Sequence, residues 1–270
     1  MGFSYNMLNP ISYKTYQPTF NANLTSAKLQ YTAEDFFIKI KGYGKNESWA
    51  DEIINTADSA VRMIRKNRNF EQILHMIANG VAEANLLTDD YSKRMKTGIL
   101  RTYRPDWIGI DSEVYTQYKN NRYNIYEKRL DETAKKPLKS YSSSMGMSRP
   151  NKKDIVHGKS VLINNALDHV SNLFTKTIPK FINGELTSEN LEEVNNCIAE
   201  VRWIMAHATP WLRGSDAISN VLMRAMYKAI GVKTYPPKEG VSFDLEAYCT
   251  ELKDYKKNFS NYFEKAPEVV

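Results

Sequence analysis

The densest chemistry in the chain lies in HATPWLRGSDAIS, residues 207–219. A proline and a tryptophan lead into Arg213-Gly214-Ser215, and an apolar helical pattern begins immediately afterwards. Ser215 is expected as the N-cap. The backbone amides after it then point out of the helix end, where the positive end of the dipole favours an anion. Gly214 removes a side chain where a ligand would approach the backbone. Arg213 adds a planar fork matched to phosphate oxygens, and Trp211 can offer an aromatic face beside it. This assembly suits a di- or triphosphate. The plainer reading is an ordinary helix start whose arginine pairs with a surface acid. Residue types alone leave the two readings level.

Other candidates are sparser. His157 follows Asp154 where a loop passes into a helix, and it can serve as a base or as a structural histidine. His207 falls near the end of a core-facing helix and reads as packing or a polar contact. No His/Cys/Asp/Glu spacing suits zinc, so no metal is expected, and no P-loop, GxGxxG or kinase set is present. Cys197 and Cys249 sit far apart inside helical patterns and read as free thiols.

These residues need a scaffold, and the pattern for one is mainly helical. Apolar residues recur at three-four spacing from Trp49 to Ile64 and again after Asn69, a plausible N-cap. A third segment, residues 96–103, stops before Pro105. Helix resumes after Gly158. A stripe of Leu191, Val194, Ile198, Val201 and Met205 ends near Pro210, and the helix starting at Ser215 ends at Gly231. Asp244 is expected to cap a last helix carrying Leu245, Tyr248, Leu252, Tyr255 and Phe259. Residues 1–45 read as a loosely ordered lead-in with a short strand at 36–40. Residues 46–270 read as one helical domain, with 104–157 a smaller irregular or β insert lobe.

The net charge of +6 points to an anionic partner. The excess concentrates between Lys119 and Lys153, either as a solvated mobile stretch or as a docking surface for an acidic partner. The chain has neither an apolar run long enough for a transmembrane helix nor a Sec signal pattern.

The stretch 201–248 resembles the C-terminal part of the AvrB-like type III effector family, relatives of the Fic fold. The shared features, in order, are Trp203, Pro210, Arg213-Gly214-Ser215, Arg224-Ala225, Gly231, Pro236-Pro237 and Asp244-Leu245-Glu246-Ala247. Upstream, DIVHGKSVLINNALDHVSNLF is similar to the family's Asp-His segment, and TGILRTY to its Thr-x-x-x-Lys-x-Tyr. The resemblance implies a two-lobed, mainly helical fold with a cleft for a nucleotide-sugar such as UDP- or dTDP-rhamnose. It implies transfer of rhamnose to a hydroxyl of a host protein, an immune regulator, inside the host cell, with a nucleotide rather than nucleic acid as the anionic ligand. The cleft residues it implies are Thr97, His157, Arg213 and Asp244. Where Fic adenylyltransferases carry a catalytic His, this chain has Thr209, and their Gly-Asn-Gly-Arg is missing. Ordinary adenylylation is therefore not expected. Gly2 leaves a myristoyl anchor and membrane association open, whereas Asn6 is not the favoured Ser or Thr. Two alternatives to glycosyl transfer remain: a non-catalytic nucleotide-binding adaptor for host kinases or regulators, and a degenerate nucleotidyl transferase.

Overall fold

The structure is a computed structural model that describes residues 29–40, 45–101, 115–117, 126, 129, 132, 154–156, 162–182 and 186–270. It is mainly helical. The helices are α1 (Glu47–Arg65), α2 (Phe70–Leu86), α3 (Tyr91–Lys96), α4 (Ile163–Ile182), α5 (Leu191–Ala208), α6 (Ser215–Ala229), α7 (Phe243–Tyr248) and α8 (Leu252–Asn258). Two small antiparallel pairs accompany them: β1 (Tyr115–Gln117) with β2 (Asp154–Val156), and β3 (Val232–Lys233) with β4 (Glu268–Val269). The insert expected at 104–157 lies mostly outside the described residues. His157 and nearly all of the basic 119–153 segment lie outside them too.

The helix starts follow capping chemistry. Asn46 accepts from the Trp49 amide at 2.9 Å, Asn69 from Glu71 at 2.7 Å and Asp90 from Lys93 at 3.0 Å. The apolar stripes read from the sequence meet around α5 and α6. Val194, Ile198, Val201 and Met205 of α5 are buried with Ile218, Leu222 and Met226 of α6, and α1 and α2 close over α6 with Ile53, Ile73 and Ile77. Arginines finish the helix ends. Arg65 on α1 donates to the Ala229 and Lys228 carbonyls at the end of α6, at 3.1 and 3.0 Å.

Three local expectations are corrected. Residues 36–40 are not a strand. A 3-10 turn at Ala33–Asp35 precedes them, and Phe36, Phe37 and Ile40 are buried, so this part of the lead-in belongs to the core. It is held by the fully buried Arg224 of α6, which donates to Asp35 and Thr234 at 3.0 Å each and to the Tyr235 carbonyl at 3.2 Å. The last helix is two, α7 and α8. The Cys249 amide bonds the Leu245 and Glu246 carbonyls and ends the first, and Tyr255, Phe259, Tyr262 and Phe263 pack around Phe243 in an aromatic cluster. Finally, Asp244 lies inside the first turn of α7 rather than at its cap, which is Ser242.

Candidate functional site

α3 ends at Lys96, and the chain runs extended against the segment that leaves α5. The Arg101 amide donates to the Pro210 carbonyl and the Leu212 amide to the Ile99 carbonyl, both at 2.9 Å. Bridges pair Thr97 with Arg213 and Leu100 with Trp211. Two motifs separated by more than a hundred residues therefore meet edge to edge. Thr97, Trp211, Arg213, Gly214 and Ser215 come together at the start of α6.

Arg101 holds this junction. Its side chain is buried, and it donates through Nε to the Thr209 carbonyl at 2.7 Å and through Nη2 to Ala208 at 2.6 Å. A guanidinium thus closes the carbonyl end of α5, where the dipole favours a cation. Burial lowers its pKa to about 10, and it stays protonated near neutrality. Thr209 turns the corner in the left-handed region at φ 42°, and Pro210 prevents the helix from continuing.

At the mouth of α6 the N-cap is Gly214, at φ 83°, and no side chain caps the helix. This corrects the expectation for Ser215. Its hydroxyl accepts from the Trp211 amide at 3.1 Å and donates back to the Trp211 carbonyl at 3.3 Å, so it fastens the turn instead of covering the amides. Gly214 is required twice, once by its φ and once by contact. A methyl there would come within 2.6 Å of Thr97 Cγ2. Thr97 is itself fixed, because its hydroxyl accepts from Asn85 Nδ2 at 2.7 Å, and Asn85 Oδ1 accepts from Trp49 Nε1 at 2.8 Å. Arg213 is exposed, with Nε donating to Ser92 Oγ at 3.1 Å. Trp211, expected to present an aromatic face, has its indole in the core at 3% exposure.

Asp216, in the first turn of α6, would repel an anion at the helix end. Arg202, buried on α5, takes its carboxylate at 2.8 Å and its carbonyl at 3.2 Å. Burial opposes the charge on Arg202, but Asp216, Tyr255 and Asp244 more than offset it, leaving its pKa raised. Arg202 thus pins the first turn of α6 to α5.

The Asp244 corner is built differently. Asp244 is buried, with Oδ1 accepting from Ser242 Oγ at 2.5 Å and from the Leu245 amide at 2.9 Å. Glu246 accepts from both Nη atoms of Arg129, at 2.9 and 2.8 Å, and from the Tyr126 hydroxyl at 2.8 Å. Burial, reinforced by Glu246, holds the Tyr126 phenol well above its usual pKa. The bidentate bond to Glu246 raises that of Arg129. The insert is thereby moored to α7. Nearby, His207 stacks on Trp203 at 3.9 Å between ring centroids and meets the edge of Tyr248 at 5.6 Å. Its Nδ1 lies 2.8 Å from the Trp203 carbonyl, which only accepts, so Nδ1 carries the proton. Burial lowers the pKa of His207 to about 4.

The sequence reading missed Ser92, Asn85, Arg101, Arg202 and the Arg129–Glu246 pair. Arg101 lies in TGILRTY and Arg202 at the start of the 201–248 stretch, and only tertiary contact gives them work. A groove of about 850 Å³ between α5 and α8 is lined by Glu192, Asn195, Asn196, Lys253, Lys256 and Lys257, and holds none of the expected site residues. Lys256 is there paired with Glu200 at 2.8 Å. Among the described residues no three His, Cys, Asp or Glu are placed to hold a metal ion, and no helix is long and apolar enough to cross a membrane.

The AvrB_AvrC family, described as avirulence protein, matches residues 67–266, which take in both the Thr97 segment and the Arg-Gly-Ser turn. The chain belongs to the AvrB_AvrC family. It is a bacterial avirulence effector, of a kind delivered into the host cell. No curated protein matches it.

Proposed function

We propose that this AvrB_AvrC effector binds a nucleotide-sugar at the mouth of α6 and transfers its deoxyhexose, rhamnose or a close analogue, to a Ser or Thr hydroxyl of a host protein. The observation that carries this reading is the pairing of residues 97–101 with 210–213. It brings an exposed guanidinium, a glycine N-cap without a side-chain bond, and a fixed threonine to one helix end.

A bound nucleotide-sugar supplies an activated glycosyl carbon and a diphosphate leaving group. The α6 amides and Arg213 are the groups to hold that diphosphate. Negative charge grows on it as the glycosidic C–O bond breaks, so these donors stabilise the transition state more than the ground state. The acceptor oxygen forms the new C–O bond and gives up its proton. His157 is assigned as the base, or as the group that orients the acceptor. Asp244 is assigned a holding role, since its carboxylate already accepts from Ser242 and Leu245. Arg202 removes the repulsion that Asp216 would exert on the diphosphate.

The second reading is an adaptor that binds nucleotide without chemistry, and the burial of Trp211 and Asp244 favours it. Thermal shifts with UDP, UDP-rhamnose and dTDP-rhamnose, on wild type and Arg213→Ala, separate the cases. Transfer requires ligand stabilisation that Arg213→Ala loses, together with a mass increase of a host protein incubated with donor. Binding without added mass supports the adaptor. The absence of ligand stabilisation in wild type removes both readings.

A further inference from the structure

Among the described residues five large apolar side chains are strongly exposed, and four fall in one short stretch: Leu86 at 59%, Leu87 at 48%, Tyr91 at 69% and Met95 at 55%. Leu86 and Leu87 close α2. Tyr91 and Met95 stand four residues apart on α3 and so share a face. Arg94 Nη1 donates to the Thr88 carbonyl at 3.3 Å, and the Asp90 cap fixes the other end, so α3 is tied to the turn that holds the two leucines. Single exposed apolar residues are ordinary, but a contiguous group of them marks an interaction site. Ser92, beside Tyr91, is the residue that receives the hydrogen bond from Arg213.

We propose that Leu86, Leu87, Tyr91 and Met95 dock a segment of the host acceptor polypeptide that carries acidic side chains interspersed with aliphatic or aromatic ones. Charge selects this occupant. The C-terminal half of α3 carries Lys93, Arg94 and Lys96, against Asp89 and Asp90 at its other end. Carboxylates on the partner pair with the basic half, next to Arg213, while its apolar side chains cover the patch. Nucleic acid would leave the apolar surface uncovered, and the vesicle and self-association arms of the test below separate a lipid surface or a second copy from the peptide. Naming the partner as the acceptor rests on the transfer reaction proposed above.

The test is fluorescence anisotropy with a short labelled peptide in which Glu alternates with Leu and Phe around one Ser. A version with Lys in place of Glu is the control. The acidic probe is expected to bind, and the basic one about ten-fold more weakly. Tyr91→Ser with Met95→Ser should weaken the acidic probe about ten-fold while leaving the fold unchanged, because both side chains are exposed. Lys93→Glu with Lys96→Glu should invert the preference between the probes, which a purely structural role would not do. The proposal is overturned by equal binding of both probes or by variants without effect. It also fails if Tyr91 governs vesicle binding or self-association instead, or if hydrogen exchange in the free protein traces protection of residues 86–95 to the chain's own 102–114 segment. UDP binding and acceptor modification are measured in parallel. Loss of UDP binding in wild type removes the transfer reading and leaves the docking surface. Unchanged acceptor modification in the Tyr91/Met95 variant removes docking and leaves transfer.

Discussion

The two motifs that made the family resemblance specific fold into opposite kinds of corner. At Arg-Gly-Ser the guanidinium is exposed, a neutral serine is its hydrogen-bond partner, and the helix end carries no side-chain cap. At Asp-Leu-Glu-Ala both carboxylates are buried and accept hydrogen bonds from the protein's own hydroxyl, amide and guanidinium groups. The difference teaches that a motif signals constraint without saying what imposes it. Polar groups left facing water are free to meet a ligand, whereas groups saturated internally hold the chain together.

If the contrast is real, the buried corner should govern stability and the open corner should govern binding. The largest effect is expected from His207. Its folded pKa of about 4 lies below the ordinary 6.5, so the unfolded chain binds the proton more readily. Stability is therefore complete above about pH 6.5 and falls as the pH drops towards 4, by about 3 kcal/mol from this group. Urea titrations at pH 7, 5.5 and 4 check this. The His207→Gln difference curve should isolate the histidine's share from that of the carboxylates.

Next comes Glu246→Ala, which takes an acceptor from Tyr126 and the partner from half-exposed Arg129. A loss of about 2 kcal/mol in chemical denaturation is expected, with Glu246→Gln in between. If neither variant moves the midpoint, the insert is not moored there.

Gly214→Ala comes third, at about 1–2 kcal/mol, from the left-handed φ and the close approach to Thr97 Cγ2. Thr97→Ser deletes that methyl, so the double variant should recover the contact share and keep the φ share. A double-mutant cycle reads the coupling. The smallest stability effect, within about 0.5 kcal/mol, belongs to Arg213→Ala, which nonetheless should abolish nucleotide binding. A large loss of stability in that variant would erase the contrast.

Much of the body was legible in the sequence because periodicity is a local signal. The stripes of α1, α2, α5 and α6 and the Asn69 cap lie where three-four spacing and capping chemistry put them. What escaped was set by partners distant in the chain. Phe36 and Ile40 alternate like a strand, but Arg224 draws Asp35 into a turn against α6. Ser215 has a good capping residue type, yet its hydroxyl finds Trp211 closer than the helix amides. Trp211 could be read as a ligand platform only because the sequence does not show that Leu100 would lie against it. The site was legible as a list of residues, and the pairing of 97–101 with 210–213 is what joined most of that list.

β1 and β2 match Tyr115 with Val156, Thr116 with Ile155 and Gln117 with Asp154, bringing the two ends of the intervening stretch side by side. That zipped neck makes the stretch a cassette. It is fastened a second time where Tyr126 and Arg129 reach Ser242 and Glu246, so any replacement stretch has to bring a hydroxyl and a guanidinium to those points or leave the Glu246 carboxylate buried without these partners.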